Sequence, residues 1–124
     1  MNIDFPANFR FAIHESRRSK MRGKVGACLV VGKSVFKGYN KEKTHRVFAN
    51  PNIHVRISIH AELSCLMEAG MKAEGGEIYV YREVHGKPAM AKPCEHCLPF
   101  LKEAGVDTIY YSTNHYPFWK KETI

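Results

Sequence analysis

Nowhere does the sequence run to the roughly 18 apolar residues that a membrane-spanning helix needs, so a helical membrane protein is excluded. Its opening, Met1 to Pro6, has neither a basic lead nor an apolar block. No secretory signal is expected there, and a reducing cytoplasm is the expected compartment. Cysteine is scarce: there are four, and two of them, Cys28 and Cys65, sit in stretches that read as core. Internal repeats and low-complexity segments are absent. A chain of 124 residues with 44% hydrophobic content is expected to fold as one soluble domain, residues 1–124.

Positive charge is unevenly spread. Residues 1–46 hold eleven Lys and Arg against three acids, a balance of +8, whereas residues 47–124 hold eight against nine. Arg17, Arg18, Lys20, Arg22 and Lys24 form the densest run. It reads equally as a solvated basic helix end or as a surface that faces phosphate.

The pattern predicts alternating helices and strands. Asp4 is placed to cap a first helix with Pro6 in its first turn, and Phe9, Ala12, Ile13 and Ser16 share one face. Val25 to Val31 and Ser34 to Tyr39 read as strands joined at Gly32-Lys33 as an antiparallel hairpin. Asn40 to Ser58 shows no clean period and is expected as a long functional loop. From Ile59 the period turns helical, with Leu63, Leu66, Met67, Gly70 and Met71 on the stripe expected to face the core. Glu77 to Arg82 follows as a strand, Glu83 to Lys92 as a loop, and a third helix starts near Cys94, with Pro99 kinking it or keeping it short. Val106 to Ser112 is the last strand, and the tail from Thr113 is expected to fold back over the sheet. Helices set between strands call for crossovers and a mixed sheet covered on both faces.

Two short motifs carry the chemistry. His60-Ala61-Glu62 opens the second helix, and Pro93-Cys94-Glu95-His96-Cys97 opens the third. One imidazole and two thiolates can hold zinc and leave its fourth position open. Glu62 lies beside that set as a proton carrier, which a structural site would not need. Taken singly, His60 also reads as a buried histidine, and Cys94-x-x-Cys97 as a redox pair or half a zinc ribbon. His45, His54, His85, His96 and His115 make no recognisable second ligand set.

H-x-E followed by P-C-x-x-C is the signature of zinc-dependent base deaminases, and from about Ala27 to Ser112 the chain resembles the cytidine/deoxycytidylate deaminase superfamily. The resemblance implies a three-layer α/β/α sandwich with a mixed four- to five-stranded sheet. It implies one catalytic zinc on His60, Cys94 and Cys97, and Glu62 as the catalytic residue that moves protons between water, the ring nitrogen and departing ammonia. Asn40, Ala27, Ala61 and Pro93 are the implied substrate contacts, and Tyr111 and Ser112 end a strand near the expected pocket. One departure stands out: the segment from Arg82 to Lys92 separates strand from Pro-Cys, where compact relatives need only a few residues. It is expected to shape the pocket rim or to contact a longer substrate.

The leading expectation is therefore a hydrolase of nucleotide metabolism that deaminates cytosine in a free nucleotide such as dCMP or CMP. The alternatives are deamination of cytosine or adenine in single-stranded DNA or RNA, with Phe48, Tyr116, Phe118 and Trp119 available for stacking, and a non-catalytic zinc-stabilised module that binds nucleic acid. No membrane partner is expected; a homo-oligomer is, by analogy with relatives.

Overall fold

The computed structural model describes residues 4–47, 50–95 and 97–124, with backbone alone for 42–47 and 50–59. Helix α1 (Phe9–Ser16) precedes strands β1 (Lys24–Val31), β2 (Ser34–Tyr39), β3 (Lys41–Val47) and β4 (Asn50–Ile59). Helix α2 (Ala61–Ala69) runs into a 3-10 turn, Gly70–Ala73. After it come β5 (Glu77–Val84), β6 (Lys87–Ala89), α3 (Cys97–Glu103), β7 (Thr108–Ser112) and β8 (Trp119–Thr123). The main sheet has the order β2-β1-β5-β7-β8, with β6 extending β5. Only β5 and β7 pair in parallel, joined by the α3 crossover; the other pairs are antiparallel. This is the mixed, three-layer architecture expected. No helix among the described residues is long and apolar enough to cross a membrane.

Strand alternation sorts the core into two layers. Ala27, Leu29, Ile78, Val80, Ile109 and Tyr111 meet α2 and α3 on one face. Cys28, Tyr79 and Tyr81 meet Phe9 and Ala12 of α1 on the other. There Tyr79 and Tyr110 stack at 4.3 Å between centroids, with Phe9 edge-on to Tyr79. Cys28 and Cys65 are both fully buried, as their surroundings suggested.

Two glycines let the helices lie against the sheet backbone. A Cβ on Gly26 would collide with the Ala12 carbonyl and the Ser16 nitrogen of α1. A Cβ on Gly38 would lie 2.7 Å from the Ala61 carbonyl oxygen and 2.8 Å from the Cys65 nitrogen of α2. Any side chain there would push a helix off its seat.

Several expectations are corrected. The 40–58 segment is no loop but an antiparallel pair, β3 with β4, forming its own two-stranded sheet. The polar composition of this stretch hides the strand period. The 83–92 segment is likewise not a loop: β5 runs on to Val84 and turns at His85-Gly86, both at positive φ, into β6. Two consecutive positive-φ residues suit the twist of a tight hairpin. Asn8, not Asp4, stands at the start of α1, and it makes no side-chain cap bond. Ile13 is only half-buried, and Glu15 takes its place on the inner face. The tail does not cover the sheet but joins its edge as β8, beside β7. The expectation for Pro99 stands in its second form: α3 is short, seven residues, and Pro99 lies in its first turn, where its missing N–H costs nothing.

The helical stripe of α2 is also shifted: Leu66 is half-buried and packs against the core as expected, but the methionines do not. Ala61, Glu62, Cys65 and Ala69 face inward, while Met67 is 71% and Met71 100% exposed. With the helix pressed onto Gly38, only small side chains fit beneath it, so the bulkier ones turn outward. Gly38→Ala is therefore expected to cost about 1–3 kcal/mol in denaturant unfolding through overpacking. Met71→Gln should stay within about 0.5 kcal/mol of the parent. A larger loss for Met71→Gln would return the methionine stripe to the core.

Candidate metal centre and catalytic cleft

The end of β4 delivers His60 to the α2 N-cap in an extended conformation, and its carbonyl accepts the Ser64 N–H at 3.0 Å. Cys94 stands ahead of α3 rather than on its face, and its carbonyl accepts the N–H groups of Cys97 and Leu98, each at 3.0 Å. That turn, not a shared helical face, brings the two thiols together. Their sulfurs lie 3.4 Å apart, and His60 Nδ1 lies 3.3 Å from Cys97 Sγ and 3.7 Å from Cys94 Sγ. Among the described residues this is the one cluster of three or more potential metal ligands.

The spacing fits a zinc ion. Bond lengths of about 2.3 Å to sulfur and about 2.0–2.1 Å to nitrogen, in a tetrahedron, put donors about 3.6–3.8 Å apart. The donor chemistry fits as well. Burial pushes the Cys97 thiol pKa up, and the neighbouring Glu62 and Cys94 push the same way. Burial also raises the Glu62 carboxyl, against opposing pulls from a backbone N–H, from His60 and from Cys97. Buried acids that each resist ionisation beside one another need a cation to hold them as anions. Glu62 itself is 5% exposed, in the first turn of α2.

Beside the cluster opens a cleft of about 400 Å³. Its position follows from sheet register. The row Gly38–Ala27–Val80 lies under the first turn of α2. One row outward the helix layer ends, and Asn40, Val25 and Arg82 form an open floor. Ala61, Glu62 and His60 supply one wall, and Met90, Ala91, Lys92 and Cys94 the other.

The expected substrate contacts divide accordingly. Ala61 and Asn40 line the cleft. The Asn40 amide is already engaged, however: Nδ2 donates to the Gly23 carbonyl at 2.7 Å, and Oδ1 accepts from the Val25 N–H at 2.9 Å. Asn40 thus clamps the segment that forms the floor. Ala27 is one row too deep, fully buried beneath α2, and Pro93 is buried behind the wall; neither lines the cleft. Ser112 is fully buried, donating to the Ala89 carbonyl at 2.7 Å and accepting from the Arg82 N–H at 2.9 Å. Tyr111 is buried too, with its hydroxyl pKa pushed up to about 12 by burial and then by its hydrogen bond to Glu122. Both brace the wall instead of facing the cleft.

The 82–92 segment does shape the rim. It is held by the Asn114 side chain on the Met90 N–H at 2.9 Å, and by the Ala91 N–H on the Ser112 carbonyl at 3.0 Å. Met21, Gly23, Val25 and Met90 also line the cleft and were missed in the sequence. Val25 was legible as the outward continuation of Ala27 and Leu29; Met90 carried no signal. Of the aromatics considered for stacking, Tyr116 is 88% exposed, but Trp119 packs near Tyr110 and donates to the Asp4 carbonyl. His85 and His115 are exposed, outside the cluster. Phe48, His96 and the side chains of His45 and His54 lie outside the described residues.

Dialysed protein is expected to hold one equivalent of zinc by elemental analysis. Cys97→Ser should weaken zinc binding by more than the roughly 10–100-fold typical of losing an outer-sphere partner. Asn40→Ala should keep the zinc and lose about 1–3 kcal/mol of stability, because it leaves the Val25 N–H and the Gly23 carbonyl unpaired. A zinc-free Asn40→Ala of unchanged stability would contradict the clamp.

Two curated relatives, the tRNA(Ile)-lysidine synthases of two strains of Thermus thermophilus, are each 34% identical over 90 residues. The match takes in 73% of this chain but only 14% of the length of those relatives. Two crystal forms of RibD from Acinetobacter baumannii superpose on 85% of this chain with a TM-score of 0.52 and 22% identity, covering 26% and 27% of that protein. The structural likeness shows the shared fold. The family model described as the cytidine and deoxycytidylate deaminase zinc-binding region matches residues 7–113. That stretch carries every element from α1 to β7, both motifs and the cleft between them, and on that extent the chain belongs to the cytidine and deoxycytidylate deaminase family.

Proposed function

We propose that this protein is a zinc-dependent hydrolase that converts cytosine to uracil in a free nucleotide, dCMP or CMP, with release of ammonia. One observation carries the reading: Glu62 is a buried carboxyl in a cleft wall, in the same turn that presents His60 to the two cysteines. A purely structural zinc site has no use for a carboxyl in that place.

A zinc ion on His60, Cys94 and Cys97 would supply Lewis-acid activation of water at neutral pH. The chain's own part is proton transfer and positioning. Glu62 takes a proton from the attacking water and passes it to the ring nitrogen next to the amine-bearing carbon. It then carries the second proton to the departing amine, so that water adds and ammonia leaves in balance. Burial suits Glu62 to this work, since a raised pKa makes its protonated form accessible. Val25 and Met90 offer apolar surface to a ring, and the small backbone of Ala61 leaves room beside it. The cleft volume lies near the lower end of the range for small-molecule sites, about 300–1,000 Å³, in keeping with one nucleotide.

A second reading, deamination of cytosine or adenine in single-stranded RNA or DNA, draws on two observations. The curated relatives are named for tRNA chemistry, and residues 1–46 carry a balance of +8. A non-catalytic zinc module has only the metal cluster in its favour.

Incubation of the zinc-loaded protein with dCMP, CMP, deoxycytidine and a single-stranded oligonucleotide, with ammonia measured, separates the three. Release from mononucleotides is the expected result; release from the oligonucleotide alone would move the assignment to the second reading, and none at all to the third. Glu62→Gln should keep one equivalent of zinc and lose at least the roughly 10²–10⁴-fold typical of general acid–base catalysis. Loss of zinc in that variant would make Glu62 a ligand instead.

A further inference from the structure

We infer that Arg82 reads the phosphate of the substrate and thereby sets selectivity for nucleotide over nucleoside, an assignment that rests on the deaminase reading above. On β5, Ile78 and Val80 point into the core beneath α2 and α3, and Arg82 is next on that face. Two residues along a strand span about 6.8 Å. The Arg82 backbone therefore stands about 7 Å outward of Val80, whose row lies under the catalytic turn. A base seated against Glu62 fills the inner end of the cleft. Whatever is attached to the base must leave across Val25, and so past Arg82.

The guanidinium reaches further out still, to Gly23. A Cβ at that glycine would lie 3.4 Å from Arg82 Nε and from one of its terminal nitrogens. The flat fork thus lies in van der Waals reach of Gly23 at the mouth. Among the described residues the fork is also an available cation of the cleft lining. Lys92, on the opposite wall, is tied to Glu122 at 3.2 Å. Glu83, next in sequence, accepts from the Tyr81 hydroxyl at 3.0 Å, and Arg82 forms no ion pair among the described residues. Its backbone is anchored by the Ser112 hydroxyl, which also holds β6. An arginine anchored through its backbone, and in no ion pair among the described residues, offers a planar fork that matches a phosphate group in bidentate fashion.

The test is calorimetric binding of the products dUMP and deoxyuridine to the zinc-loaded parent, Arg82→Ala, Arg82→Lys and Lys92→Ala, beside turnover of dCMP and deoxycytidine. In Arg82→Ala the preference for dUMP over deoxyuridine should fall by about 10- to 100-fold, Arg82→Lys should recover part of it, and Lys92→Ala should change it less. An unchanged preference, an equal loss for both ligands, or an equal fall in Lys92→Ala would overturn the assignment, as would a parent that binds neither ligand. Normal dCMP turnover by the parent together with an unchanged preference in Arg82→Ala would sink Arg82 alone. A preference that depends on Arg82, in a parent that deaminates no mononucleotide, would sink the mononucleotide reading and leave Arg82 as a phosphate site.

Discussion

Everything at the site depends on how closely α2 can approach the sheet. At Gly38 the strand lies so close to α2 that even a Cβ would meet the Ala61 carbonyl, the Ser64 Cβ and the Cys65 nitrogen. That seat sets the height of the first turn, and with it His60 and Glu62. It also forces the underside of the helix to be small: Ala61, Cys65, Ala69 and then Ala73. A larger residue anywhere along this line would lift the histidine away from two cysteines more than thirty positions later in the chain. Close packing in protein interiors leaves little slack to absorb such a shift.

The second constraint is charge. The inner end of the cleft gathers the Glu62 carboxyl and the Cys97 thiol, for both of which burial makes ionisation costly. A polar group in such a place persists only with partners. A divalent ion on His60, Cys94 and Cys97 would supply the missing positive charge. The outer end of the cleft has the opposite balance, with the Arg82 guanidinium and Lys92 in its lining. A ligand that is neutral at one end and anionic at the other suits that gradient.

The hairpin that carries β6 lies between the core of β5 and the Pro93-Cys94 motif. It lengthens β5 by a turn of strand and bends the chain back, so that Met90, Ala91 and Lys92 form a wall before the Cys94 ligand is reached. Ser112, Asn114 and Glu122 hold that wall from behind. The terminal strand β8, which supplies Glu122, is thus part of the site's support as well as the sheet's edge.

By itself the sequence determined the layer order, the two hydrophobic faces of β1 and β5, and the identities of His60, Glu62, Cys94 and Cys97. Those features are written in local spacing: period two for strands, residue type and interval for metal ligands. Tertiary structure alone decided which side chains remain free to act. The Asn40 amide is spent on Gly23 and Val25 because β1 and β2 end side by side there. Ala27 is sealed, and Val25 and Arg82 are open, because the helix layer stops one row short. The Met67 and Met71 stripe faces out because a helix pressed onto glycine has no room for it. Such outcomes depend on where distant elements meet, and the spacing within one element contains no record of its neighbour.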